Sequence, residues 1–186
     1  MSNINHEYRH VFIHTPACAG TSMERMEWVG GSGHATAIRL LAEAPADYVS
    51  WGFVRNPYDR LVSVYHKAAQ HVKKWPGSPQ CEGVTFSTFV RSLQRRWIVT
   101  PHTLPMTTFL CDVDNACHLD YTGRFETVDK DIKVIADRLG APHTQLPHLN
   151  PTQHDAWQEY YSPELYEIVG ELYSDDFDVF GYKREY

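Results

Sequence analysis

The sequence predicts an α/β fold, a three-layer sandwich around a mainly parallel central sheet, on three observations. Short apolar runs alternate with amphipathic stretches along the chain. Two of the runs end in turns that open helices, one rich in small residues and one carrying a proline. The length of 186 residues suits a single domain, 1–186, with a substantial core.

The elements follow in order. Arg9–Thr15 is an apolar run ending at Pro16 and reads as a strand. Ala17–Ser22 is a run of small residues, and Thr21–Val29 is helix-like until Gly30-Gly31-Ser32-Gly33 stops it. His34–Ala44 reads as a second helix and Tyr48–Val54 as the next core strand. Pro57 opens a helix whose buried side is Leu61, Val62, Val64 and Tyr65, running to about His71. Lys73–Gly83, with two prolines and two glycines, reads as an exposed loop, and Thr85–Arg95 as a helix. Thr107–Cys111 and Leu119–Glu126 are strand candidates. Val128–Leu139 is a helix, with Gly140 placed for a left-handed cap. Pro142–Trp157 is a polar loop, Ser162-Pro163-Glu164 starts a helix reaching about Tyr173, and Phe177–Tyr182 packs the tail.

Hydrophobic residues at 42% and charged residues at 22% are ordinary for a globular protein. A formal charge of −6 argues against general affinity for nucleic acid or anionic membrane, so an anionic ligand needs a local cluster of donors. No apolar run approaches the roughly 18 residues of a membrane span. Met1–His10 is polar, without a secretory h-region. Cys18, Cys81, Cys111 and Cys117 form no C-x-x-C pair and read as free thiols, which together with the polar start predicts a cytoplasmic location. The eleven histidines are scattered, so no metal site is expected.

Two segments carry chemistry. Pro16-Ala17-Cys18-Ala19-Gly20-Thr21-Ser22 lies between a strand and a helix, where small residues admit a phosphate to unpaired amides and Thr21 and Ser22 add hydroxyls. A plain tight turn would read the same way. It is not a Walker A loop, because Thr21 stands where that motif has lysine. In Phe53-Val54-Arg55-Asn56-Pro57-Tyr58-Asp59-Arg60-Leu61-Val62-Ser63, Arg55 leaves a strand's carboxyl end, where open α/β sheets bind ligands. Its planar fork suits a terminal phosphate, and Ser63, eight residues on, offers that phosphate a hydroxyl. Asp59 and Arg60 read as surface or pairing charges. Two such sites suggest a nucleotide with phosphates at both ends of its ribose.

These segments resemble the sulfotransferase family that uses 3′-phosphoadenosine 5′-phosphosulfate (PAPS). F-I-H-T-P-A-C-A-G-T-S is similar to its 5′-phosphosulfate loop, commonly F-I-H-x-P-K-x-A-G-T-S, and F-V-R-N-P-Y-D-R-L-V-S-V-Y to its 3′-phosphate motif. Gly123-Arg124-Phe125-Glu126, Leu146-Pro147-His148-Leu149-Asn150 and Tyr160-Tyr161-Ser162-Pro163 resemble the carbohydrate branch that groups with heparan 2-O-sulfotransferases. The resemblance implies a P-loop-like sulfotransferase fold, PAPS as donor and 3′,5′-bisphosphoadenosine as product, no metal, and a hydroxyl-bearing acceptor, with carbohydrate favoured. It implies that Pro16, Cys18, Ala19, Gly20, Thr21, Ser22, Arg55, Ser63 and Arg124 hold the nucleotide, although Arg124 equally reads as paired to Glu126.

Ala17 stands where the family carries its lysine. That ammonium neutralises charge building on the oxygen that bridges sulfate to the departing nucleotide, an effect of several kcal/mol. Three readings stay open: an inactivated variant, a nucleotide-binding pseudoenzyme, or an enzyme whose cation comes from Lys67, Lys73 or Lys74. A small-molecule kinase shares the strand–loop–helix, but it needs a Walker lysine and a magnesium carboxylate, and neither is evident.

Transfer also needs a base for the acceptor hydroxyl's proton. His34, after the glycine run, is the first candidate, and related enzymes often show a comparable H-x-T segment. His14, Glu24 and His66 follow. Substrate contacts are expected from His14, His66, Arg91 and Arg95, with Arg96 completing a basic cluster that either grips an anionic sugar or is a solvated face. Phe125 and Trp51 are candidates to stack on adenine, core packing being the plainer role for each. His148, Asn150 and His154 lie on a loop that could close over the nucleotide.

Overall fold

The computed structural model describes residues 3–31, 33–70, 83–142, 145–146 and 155–184, and divides into two compact units. The first comprises Met1–Arg55 and Met106–Asn150, the second Asn56–Pro105 and Pro151–Tyr186.

The first unit is built on a four-stranded sheet. Its strands, in spatial as in chain order, are β1 (Ile4–Asn5), β2 (His10–Ile13), β3 (Val49–Val54) and β4 (Tyr121–Arg124). β1 is antiparallel to β2, whereas β2–β3 and β3–β4 are parallel, so the sheet is mixed and flanked by helices, an α/β fold. β2 is buried at every position, as its unbroken apolar run demands of a parallel strand covered on both faces. Phe12 and Trp51, register partners, stack with ring centroids 4.4 Å apart, and Trp28 packs on Trp51 at 6.0 Å. Gly123 on β4 leaves room for the ring of Phe53, which a Cβ would meet at 2.6 Å. Below the strand ends that carry the site, the Asp120 carboxylate accepts from the backbone N–H and hydroxyl of Ser50, each at 2.8 Å.

The helices of this unit are shorter than the sequence predicts. The expected helix Thr21–Val29 is only α1, Gly20–Met23. Beyond it the chain turns tightly, with Met26 N–H donating to the Met23 carbonyl and Val29 N–H to Met26. The Trp28 carbonyl accepts from Asn5 Nδ2 and His10 Nε2 instead of a helical amide. Burial of Met26, Trp28 and Val29 overrides helical propensity. α2 is Ala37–Glu43, its start fixed by the Thr36 side chain accepting from Arg39 N–H, so His34 precedes the helix. Thr107–Cys111, expected as a strand, is α5 (Thr107–Leu110), because five residues with two threonines at their head carry too short a pattern to separate the two. Further along, α6 (Val128–Leu139) ends at Gly140 with φ 65°, the left-handed cap expected there.

The expectation of free thiols is overturned at one pair: Cys111 and Cys117 form a disulfide, and Cys18 is free and buried. The intervening loop is turned by Asp112, whose Oδ1 accepts from the amides of Asp114 and Ala116, which brings the two cysteines together. Cys81 lies outside the described residues.

The second unit is helical: α3 (Pro57–Gln70), α4 (Phe86–Gln94), α7 (Pro163–Leu172) and α8 (Ser174–Phe180). Pro57 opens α3, Thr85 caps α4, and the Ser162 hydroxyl accepts from Leu165 N–H to cap α7, all as the residue types predict. Its core is aromatic: Tyr58 stacks on Tyr166 with centroids 3.9 Å apart and lies 5.5 Å from Trp157. Arg60, expected as a surface or pairing charge, is 2% exposed and donates to the carbonyls of His102 and Leu104 at 3.2 and 2.8 Å. The predicted loop Lys73–Gly83 lies almost wholly outside the described residues, as do His148, Asn150 and His154.

Candidate functional site

The small-residue segment after β2 turns into a short helix in the first unit and is the candidate anion cradle. Ala17 and Ala19 adopt left-handed φ of 62° and 63°, two residues apart, a pattern that turns successive amides toward one concavity. α1 starts at Gly20 without a side-chain cap. Its carbonyl ladder takes the amides of Ser22 and Met23, both donating to Ala19. The N–H groups of Ala17, Ala19, Gly20 and Thr21 meet no acceptor among the described residues. Thr15, 1% exposed, adds a hydroxyl that has no hydrogen-bond partner among them either. Buried polar groups without partners are rare and costly. The Thr15 hydroxyl is such a group, and beside it the amides of half-buried Ala17, Ala19 and Thr21 and of Gly20 are open to a ligand of phosphate or sulfate kind.

Arg55, at the end of β3, is 7% exposed and joins this loop: Nη1 donates to the Ala17 carbonyl at 3.3 Å. The guanidinium lies 3.9 Å from the ring centroid of Phe125, so that ring serves the arginine. Trp51, the other adenine candidate, is 0% exposed inside the core. Met106, which no motif singles out, packs its sulfur 3.7 Å from Cys18 Sγ and 3.4 Å from the Arg55 backbone nitrogen. Arg124 is the register partner of Val54, one residue before Arg55, and its backbone N–H donates to Asp131 at 2.8 Å.

Two histidines flank the cradle. His14, 6% exposed, donates Nδ1–H to the Glu24 carboxylate at 2.7 Å, and no described residue hydrogen-bonds its Nε2. Its ring lies on Gly20, where a Cβ would overlap Cδ2 and Nε2, so glycine is required there by the imidazole. His34 donates Nδ1–H to the His14 carbonyl at 3.0 Å, and its ring meets that of His14 edge-on at 4.5 Å. In neutral His34 that bond leaves Nε2 without a proton, the form a base requires. The sequence offered Glu24 as a base, whereas the fold makes it the partner of His14.

The remaining predicted residues belong to the second unit. Ser63 lies on α3 and is 8% exposed. His66 shares a 2.8 Å hydrogen bond with the Tyr160 hydroxyl. Lys67, offered as a substitute cation, is partly buried, and burial lowers its pKa. Arg91 forms a two-pronged pair with Glu164 at 2.7 Å on each arm, which raises the arginine's pKa and lowers the carboxylate's. Arg95 lies 5.0 Å from the ring centroid of Trp97. No group of three or more metal-ligating side chains occurs among the described residues.

The family model described as the sulfotransferase family matches residues 32–183. Carbohydrate sulfotransferase 14 from Homo sapiens and from Mus musculus is 24% identical across 96% of this chain, and that of Danio rerio 23%. The chain spans about three-fifths of the length of these relatives, 59% for the human and mouse proteins and 61% for the zebrafish one. No solved structure matches it significantly.

Proposed function

Because the chain belongs to the sulfotransferase family, we propose that it is built to move a sulfuryl group from PAPS to a hydroxyl of a carbohydrate. The observation that carries this reading is the cradle: four unpaired amides, an orphaned buried hydroxyl and a buried arginine surround one strand-to-helix turn. The carbohydrate acceptor rests on the similarity to carbohydrate sulfotransferase 14.

In this reading the amides of Ala17, Ala19, Gly20 and Thr21, with the hydroxyls of Thr15, Thr21 and Ser22, hold the 5′ end of the donor. Arg55 and Arg124 hold the 3′-phosphate. Bound PAPS supplies an activated sulfuryl group: the acceptor oxygen bonds to sulfur, the bond from sulfur to the bridging oxygen breaks, and 3′,5′-bisphosphoadenosine departs. His34 takes the acceptor proton on Nε2 while the His14 carbonyl fixes its ring. The bond from His14 Nδ1 to the Glu24 carboxylate fixes the His14 ring beside Gly20, so this ring shapes the loop from within.

Ala17 removes the ammonium expected at the bridging oxygen, so the chain binds donor well and turns it over slowly. A second reading follows from that residue: a silent nucleotide-binding protein of the same fold. Calorimetry with 3′,5′-bisphosphoadenosine tests the shared premise, and absence of binding overturns both. A PAPS turnover assay at high enzyme concentration separates them, since label reaching a carbohydrate acceptor excludes the silent reading.

A further inference from the structure

α6 begins with its cap reversed. Thr127 precedes the helix, where a threonine hydroxyl ordinarily accepts from an amide of the first turn, and here it accepts none. It donates instead to Asp131 Oδ2 at 2.8 Å. The same oxygen accepts from the Arg124 backbone N–H at 2.8 Å, and Oδ1 accepts from the Tyr121 hydroxyl at 3.1 Å. Burial, and after it the carboxylate, raises the Tyr121 pKa, so this hydroxyl remains a donor. One carboxylate thus gathers both ends of β4 and the turn Phe125–Thr127 that follows it.

The positive end of the helix dipole accounts for an acid in the first turn of α6. Asp129, exposed in that turn, is such an acid, and no described residue hydrogen-bonds its side chain. The dipole does not account for Asp131 drawing a strand-end amide, a phenol and the cap residue to one point. β4 is an outer strand of the sheet, with a neighbouring strand on one side only. The carboxylate fastens its end to α6.

The fastened turn carries the Phe125 ring. The Arg55 guanidinium lies 3.9 Å from that ring's centroid and reaches the Ala17 carbonyl through Nη1 at 3.3 Å. Arg124, tied by its own amide to Asp131, is the register partner of Val54, the residue before Arg55. Both arginines assigned to the 3′-phosphate therefore meet the segment that Asp131 holds. A guanidinium fixed before its ligand arrives loses less rotamer freedom on binding, so the hold favours affinity.

We infer that Asp131 is a positioning residue for the 3′ end of the nucleotide: it anchors the β4–α6 turn so that Arg124 and the Phe125 ring, and through that ring Arg55, stand ready for a phosphate. The bearing on a phosphate rests on the sulfotransferase reading above, whereas the hold on Phe125 and Arg55 is independent of it.

The test is calorimetry of the full chain with 3′,5′-bisphosphoadenosine and with adenosine 5′-monophosphate, which lacks the 3′-phosphate. A proton–nitrogen correlation spectrum follows the Arg55 Nε–H, which the face of Phe125 shields. Asp131→Ala is expected to weaken bisphosphoadenosine binding at least about tenfold, the scale of a lost charge-assisted hydrogen bond, and to leave monophosphate binding little changed. It is expected to move the Arg55 signal in the direction that Phe125→Leu moves it. Tyr121→Phe and Thr127→Val keep the carboxylate and lose one donor each. They are expected to show the same selective loss to a smaller extent, which keeps the inference falsifiable if Asp131→Ala does not fold. Asp129→Ala removes an equal charge from the same turn and is expected to change neither affinity nor spectrum. Equal losses for the two nucleotides would make Asp131 a support of the fold alone and overturn the inference, as would an effect of Asp129→Ala as large as that of Asp131→Ala. If the native chain binds bisphosphoadenosine and the Asp131, Tyr121 and Thr127 variants bind it as tightly, the positioning role falls and the sulfotransferase reading stands. If the native chain binds neither nucleotide, that reading falls. The Arg55 signal then decides the positioning role: moved by Asp131→Ala it upholds the role, and unmoved it overturns it.

Discussion

The Arg55 guanidinium donates to the carbonyl oxygen of Ala17 at 3.3 Å, so the residue that ends β3 grips the loop that follows β2. The contact joins two motifs 38 residues apart at the position where the first of them differs from the loop it resembles. It uses the backbone of residue 17 and not its side chain, so it tolerates a longer side chain there. The left-handed φ of 62° is likewise a cost that alanine and lysine share.

Ala17→Lys is therefore expected to fold normally and to raise sulfuryl transfer from PAPS at least about a hundredfold, the scale of a lost transition-state donor. A turnover assay with radiolabelled donor measures it, and an unchanged rate overturns the role given to this position. In that background His34→Ala is expected to lower kcat about a hundredfold or more, with donor affinity retained. Undiminished turnover would pass the base role to His14.

Gly20→Ala places a methyl group on the His14 ring. The expected cost is about 1–3 kcal/mol of stability, the range for overpacking a filled site, together with loss of bisphosphoadenosine binding as the loop shifts. Removing the obstruction in Gly20→Ala/His14→Ala is expected to recover much of the stability in urea unfolding. A double-mutant cycle without coupling would show that the glycine serves another purpose.

His10 makes acid destabilising. Nε2–H donates to the Trp28 carbonyl at 2.9 Å and Nδ1 accepts from Trp51 Nε1 at 3.1 Å, a pattern that needs the neutral ring. Burial lowers its pKa below the usual 6.5, outweighing the Trp28 bond that raises it. The unfolded chain thus binds the proton first as pH falls. The stability of the neutral contact is full above about pH 6.5 and is lost as pH drops toward the folded pKa, by up to about 1.4 kcal/mol per pH unit. Urea midpoints at pH 7.5 and 5.5 should differ more for the native chain than for His10→Gln; equal slopes would assign the acid sensitivity elsewhere.

Cys111 and Cys117 close a six-residue step, for which loop entropy predicts about 2 kcal/mol of stabilisation. Thiol titration of the unreduced, denatured chain should find two reactive cysteines of the four, and mild reductant should lower the melting temperature. Four titrating thiols would remove the staple and return the protein to the reducing compartment that its cysteine spacing first suggested.

Much of this protein was fixed by local chemistry. The apolar runs at β2 and β3, Pro57 at the start of α3, Thr85 and Ser162 as caps and Gly140 as a stop act through near neighbours, and each appears where its residue type places it. The turn between β2 and α1 was legible for the same reason, because a run of small residues before a helix start acts locally. What the sequence could not set were choices between distant partners. α1 is short because Trp28 gives its carbonyl to Asn5 and His10. Glu24 became the partner of His14, Phe125 the support of Arg55, and Met106 the packing beneath it. Such pairings depend on which surfaces the fold brings together, and burial, not local propensity, decides among them.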